Sequence, residues 1–213
     1  MHAGSSTWLP LFPLQVVLLP GNGLPLHIFE DRYREMIADV RRDRGEFGVV
    51  LASGNGMSGT GCTASIEQVM REYPDGRLDI MTIGRRRFEI QSVNDDRSYL
   101  RCAPQLFDDD EEGPFPADAR DRVMESYNSL CELTAQTPLT PADLARTQIS
   151  FLMARGIEDL DLRQTLLTAR SESQRLRKLA EFLPDHLRRL QRAEHARRVS
   201  PRNGHGGYVN GVH

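Results

Sequence analysis

Residues 8–33 read WLPLFPLQVVLLPGNGLPLHIFEDRY, and this stretch decides the fold. Its apolar bursts are interrupted by prolines at 10, 13, 20 and 25. Proline has no N–H to give a ladder and fixes φ, so the bursts are expected as short, bent or edge segments rather than one central strand. From Phe29 the period changes. Phe29, Tyr33, Met36, Ile37 and Val40 form one apolar stripe at helical spacing, which predicts a helix over 29–45 with Gly45 as its stop.

Outward from there, FGVVLA (47–52) reads as a buried strand and SGNGMSGTG (53–61) as a mobile glycine-rich loop. Residues 63–72 and 77–93 flank Tyr73-Pro-Asp-Gly76, a strong hairpin signal. Gly84 in the second arm predicts a bulge where the strand turns a barrel corner. A last strand over 99–107 runs into the acidic stretch 108–112, expected as a solvated linker.

Beyond it the period becomes helical. Val123, Tyr127, Leu130 and Leu133 stripe residues 118–134, and Thr140-Pro-Ala-Asp143 opens a helix leading to Leu144, Ile149, Leu152 and Met153. A short helix is expected near 160–169. Ser171-Glu-Ser-Gln174 is a capping box before Leu176, Leu179, Ala180 and Leu183, and Pro184 kinks or restarts that helix. The expected organisation is therefore a disordered start (1–7), a barrel with one helix (8–107), a linker (108–117), a helical bundle (118–198) and a disordered tail (199–213).

Composition fits a soluble globular protein: 213 residues, 39% hydrophobic, 27% charged, net charge −3. No apolar run nears the ~20 residues that span a bilayer, and the first residues lack a secretory pattern. Three scattered cysteines (Cys62, Cys102, Cys131) fit reducing cytoplasm better than a disulfide or zinc framework. The negative balance makes nucleic acid and membrane unexpected partners.

Catalysis finds no foothold. Lys178 is the single lysine and sits between Arg177 and Leu179 in a helical pattern, so neither a phosphate-cradling Walker A loop nor a desolvated Ser–Lys dyad is written. There is no Gly-x-Ser-x-Gly elbow. No catalytic, cofactor-binding or metal-binding residue is expected. His27 reads as a packed or edge histidine, Cys62 as a small barrel-lining residue and Cys131 as helix core. Alternation sends Arg85 and Arg87 to one face and Arg86 to the other, which breaks up a basic stripe.

Pro10 to Leu14, Val17 to Gly21 and Pro25 to Tyr33 resemble the opening of the N-terminal, substrate-binding domain of Lon proteases. Gly45-x-Phe47-Gly-Val-Val, Gly61-x-x-Ala64-x-Ile66, Asp75-Gly-Arg-Leu-x-Ile80, Gly84-x-x-Arg87-Phe-x-Ile90 and Tyr99-Leu look like its later strand signatures, and Leu162 to Leu167 and Arg175 to Leu179 like its leucine-rich helices. About residues 8–190 are covered. The resemblance implies an α+β fold, a PUA-like bent β-barrel followed by a small α-helical bundle, also shared with the β-domain of cereblon. It also implies that Arg87 is buried in a salt bridge.

In the full proteases this region holds protein substrates while AAA+ and peptidase modules unfold and cut them. The chain is accordingly expected as a bacterial, cytoplasmic, non-catalytic module that binds unfolded or degron-bearing polypeptides or a partner protein. Candidate peptide contacts are Leu24, Leu26 and Met57 in the glycine-rich segments, and Phe29, Phe115 and Phe151 where barrel and bundle could meet. The alternative is RNA binding through the barrel and the basic run Arg188 to Arg202. A homodimer through the helices stays open.

Overall fold

The computed structural model describes residues 8–54, 56–110, 116–144, 146 and 148–199. Strand β1 (Leu9–Leu14) shows how a proline-broken segment enters a sheet. Leu11–Leu14 pairs in parallel with Gly48–Leu51 of β3 (Phe47–Ser53), while Leu9 and Pro10 pair antiparallel with β6 (Arg101–Phe107). The second apolar burst forms no strand: Val17, Leu18 and Leu19 are buried in irregular backbone. Its polar groups are met elsewhere, as burial requires. Arg163 donates to the Val17 carbonyl, and Gly21 and Asn22 exchange backbone hydrogen bonds with Gly84.

The third burst is β2 (Gly23–Ile28), followed by helix α1 (Asp31–Asp43). Tyr33, Met36, Ile37 and Val40 form the expected buried stripe, but Phe29 lies before the helix and is 60% exposed. The helix stops one residue early. Arg44 adopts φ 48°, and the Gly45 N–H closes the turn on the Val40 carbonyl at 3.0 Å.

Strands β4 (Gly56–Glu72) and β5 (Leu78–Asn94) make the long hairpin predicted around Tyr73–Gly76, with Gly76 at φ 84°. The sheet order is β2-β5-β4-β3-β1-β6, and β5 also pairs with β6, which closes the last five strands into a barrel. Leu78–Ile83 of β5 serves β2, and Arg87–Asn94 serves β6. Gly84 marks the change of partner, where the 19–22 segment crosses so closely that a Cβ would strike the Leu19 carbonyl.

Most of the expected loop over 53–61 is strand instead: Ser53 ends β3 and Gly56 to Gly61 opens β4. Gly61 packs where a Cβ would sit 2.6 Å from the Val49 oxygen and 2.7 Å from the Phe88 ring, so this glycine serves barrel packing, whereas Gly54, Gly56 and Gly59 have open space beside them.

The helical part comprises α2 (Ala117–Thr134), α3 (Pro141–Leu144), α4 (Ile149–Met153) with a 3-10 turn (Ala154–Gly156), α5 (Leu160–Thr168) and α6 (Glu172–Val199). Thr140 and Asp143 form the predicted reciprocal cap. At the head of α6, Ser171 caps Gln174, whose side chain reaches the Arg170 N–H. Pro184 lies inside α6, which continues past it. Val123, Tyr127 and Leu130 of α2 join Leu176, Leu179 and Leu183 of α6 in a buried apolar cluster that continues into the barrel.

The acidic stretch is no simple solvated linker. The Asp109 carboxylate accepts from Arg87 (2.6 Å), Arg175 (2.7 and 2.6 Å) and Gln148 (3.0 Å), tying β5 to the helices. Arg175 is 0% exposed and also bonds Ser150 and Glu172. Burial without partners would be costly for such a charge. Of the predicted disordered segments, 1–7 and 200–213 lie outside the described residues, as does 111–115 of the linker, while Val199, expected in the tail, is the last residue of α6.

Candidate functional site

Alternation along β2 turns Leu24, Leu26 and Ile28 toward the core and leaves Gly23, Pro25 and His27 exposed. The chain then runs through Phe29 into α1, whose first turn closes on the Glu30 carbonyl. Beneath Phe29 is a recess of about 190 Å³, lined by Phe12, Leu14, Leu26, Ile28 and Tyr33 among others. Ligand pockets run to about 300–1,000 Å³. A recess this small suits one side chain, not a cofactor.

Beside it runs a row of rings. His27 lies near-parallel to Phe29 at 5.9 Å and meets Tyr73 edge-on at 5.9 Å. Asp79 fixes the row: its carboxylate pairs with His27 Nδ1 at 2.5 Å and accepts from the Tyr73 hydroxyl at 2.8 Å. These bonds, His27 first, hold the Asp79 carboxyl below the usual carboxylate range, and the same bond raises the Tyr73 phenol. The guanidiniums of Arg71 and Arg77 lie 4.5 and 4.9 Å from the Tyr73 ring centre. The surface thus grades from an exposed aromatic over an apolar recess to the Tyr73 ring with two guanidiniums against it, one of them, Arg77, paired with Asp75.

Of the predicted contacts, Leu26 and Phe29 come together here, while Leu24, earlier in β2, packs against the main core and does not line the recess. Met57 does not: it packs against a separate small cluster of Leu11, Val50, Phe88 and Cys102. Phe151 is a correction. It is 1% exposed, with Arg175 stacked 4.4 Å from its ring centre, so it belongs to the core and does not meet Phe29. Phe115 lies outside the described residues. His27, Tyr73 and Asp79 were missed as a group because the pairing of β2 with β5 joins positions 52 residues apart.

The remaining candidates fall into structural roles. Cys62 is fully buried in the barrel, and burial pushes its thiol up to about 12, far from a reactive thiolate. Cys131 is buried within α2. A register shift in the β4–β5 pairing upsets the expected alternation, so Arg85 and Arg86 are exposed while Arg87 is buried on Asp109. Arg85 bonds Glu67 and Ser65. Lys178 pairs with Glu181 on the surface of α6.

A family model described as the ATP-dependent protease La (LON) substrate-binding domain matches residues 8–185. The Lon protease of Parabacteroides distasonis is 30% identical over 101 residues, 43% of this chain but 12% of that protein. Thus the chain spans a small fraction of that relative's length. Among solved structures, a Lon N-terminal domain protein from Xanthomonas campestris is 25% identical with a TM-score of 0.67, over 83% of this chain and 98% of that one. The N-terminal domain of the Mycobacterium avium complex Lon protease, 19% identical, has a TM-score of 0.60 over 84% and 100% of the two chains.

Proposed function

We propose, from the premise that this chain belongs to the Lon substrate-binding domain family, that it is a recognition module for unfolded or degron-bearing polypeptides. In this reading it acts in cytoplasmic bacterial proteolysis or quality control and does no chemistry on what it holds. The observation that carries the reading is Phe29, a large aromatic left 60% exposed over an apolar recess and stacked on a histidine fixed by Asp79.

Magnitudes set the mode. Burying one client side chain beside Phe29 contributes about 1.5–3 kcal/mol, whereas micromolar binding needs about 8 kcal/mol. The shortfall calls for main-chain pairing. Among the described residues, strand β2 is the end strand of the sheet, with β5 as its neighbour, and we read its other side as offered to an extended client.

The test is a titration of a labelled, permanently unfolded protein followed by anisotropy. Saturable micromolar binding is expected, weakened about tenfold by Phe29→Asp, the loss of one well-placed anchor. Absence of saturable binding removes the reading. Tight single-stranded RNA binding with a salt slope of several would replace it by nucleic-acid binding, for which the exposed Arg188, Arg192 and His195 of α6 are the surface to mutate.

A further inference from the structure

A second groove, of about 500 Å³, lies between the end of α1 and strand β6. Unlike the recess under Phe29, it falls within the size range of ligand sites. Its apolar lining includes Trp8, Leu9, Pro10, Pro104 and Leu106, and Leu106 is 41% exposed. Its charged lining is Arg42, Arg86, Arg97 and Arg101 against Asp39, Asp43 and Glu46.

Two of those carboxylates are already engaged. Asp39 accepts from Arg42 (2.7 Å), Arg97 (3.4 Å) and the Tyr99 hydroxyl (2.7 Å), and Asp43 accepts from Arg42 at 2.9 Å. Two of the four arginines, Arg86 and Arg101, are less well served. Arg86 reaches Asp108 only at 3.7 Å, through a carboxylate that is itself 82% exposed. Arg101 pairs with the exposed Asp96, yet its buried Nε has no hydrogen-bond acceptor among the described residues. A buried donor left in that state favours an incoming acceptor.

The backbone adds a direction. Strand β6 pairs with β5 along its length, but meets β1 only at Leu9↔Cys102 and Pro10↔Arg101. Among the described residues, Ala103–Phe107 therefore has no strand partner on its other side, and Pro104 and Leu106 of that stretch line the groove. An unpaired strand segment selects an extended chain.

We propose that this groove docks an extended acidic polypeptide segment alongside β6. Its carboxylates would meet Arg86, Arg97 and Arg101, and an apolar side chain would lie against Trp8 and Leu106. The proposal rests on the reading that the chain binds polypeptides, but makes no use of Phe29.

Trp8 is the sole tryptophan and lines the groove, so its emission reports on occupancy directly. The probe is a capped ten-residue peptide alternating glutamate with serine around two central valines. Expected is a saturable change in emission that weakens about fivefold or more between 50 and 300 mM NaCl, as screening of exposed charges requires. The double variant Arg86→Glu/Arg97→Glu should weaken it about tenfold or more. Both side chains are about half exposed, and an unchanged urea midpoint would show that the fold persists.

Phe29→Asp should leave this signal intact. No saturable change, an equal response to the same peptide with lysine for glutamate, or undiminished binding by the double variant would each overturn the proposal. So would displacement of the peptide by an equimolar oligouridylate, which would make the groove a general anion site. Failure of the peptide while the unfolded protein still binds sinks the groove alone; the reverse outcome sinks the Phe29 rim alone.

Discussion

Arg175 places both terminal nitrogens on the Asp109 carboxylate, at 2.7 and 2.6 Å, although 66 residues separate them. The two planar groups meet as a fork, the geometry in which a guanidinium is worth more than a lysine ammonium. Arg87 reaches the same carboxylate from β5, so this contact fixes how barrel and helices sit on one another.

Asp109→Asn is expected to destabilise by about 3 kcal/mol or more, because breaking a buried pair leaves charge without compensation. Arg175 would keep Glu172, but Arg87 would lose its one carboxylate partner among the described residues. Urea denaturation of the two proteins measures this. Adding Arg87→Met should recover part of the loss, since it removes the stranded charge.

Acid should loosen the same joint. Burial alone would raise the Asp109 pKa, but the hydrogen bond and charge of Arg175, with Gln148 and Arg87, outweigh it and leave the carboxyl below its usual value. A carboxyl depressed on folding stabilises above its unfolded pKa, about 3.9, and that contribution disappears as pH falls through the folded value. The stability difference between wild type and Asp109→Asn should therefore be constant from pH 7 to about 5 and shrink below about pH 4. A difference that grew on acidification would contradict the assignment.

Glycine spacing along β4 gives a sharper test of the barrel. A Cβ at Gly61 would lie 2.6 Å from the Val49 carbonyl oxygen and against Phe88, and the backbone oxygen cannot rotate away. Gly61→Ala should cost about 1–3 kcal/mol, the usual range for overpacking. Gly59→Ala meets open space and should be neutral or slightly stabilising. Parallel urea midpoints decide it.

How much of this was legible in the chain depended on sequence separation. The Tyr73–Gly76 turn, the Thr140–Asp143 cap and the Met36–Val40 stripe are local, set by residues within one turn of each other, and they stand as expected. Asp109 was read as solvated because its neighbours are acidic, while the charges that bury it lie at 87 and 175. His27 looked isolated for the same reason, since Asp79 reaches it only through strand register. Phe29 continues the helical phase in sequence, but the helix begins at Asp31 after the extended Glu30, and the Phe29 ring is left outward.

That outward turn permits a comparison between two residues of one type. Phe29 is 60% exposed and Phe151 1%. Phe29→Ala should leave stability within about 0.5 kcal/mol, as for surface changes away from structural features, while weakening capture of unfolded protein. Phe151→Ala should cost about 3–5 kcal/mol, because Phe151 sits in the core with Arg175 stacked on its ring. Any effect of that variant on binding should vanish once the data are corrected for the unfolded fraction. Thermal unfolding and anisotropy on the same preparations separate the two. If Phe29→Ala proved as destabilising as Phe151→Ala, the exposed ring would be a packing residue, and the recess beneath it would lose its claim as a recognition site.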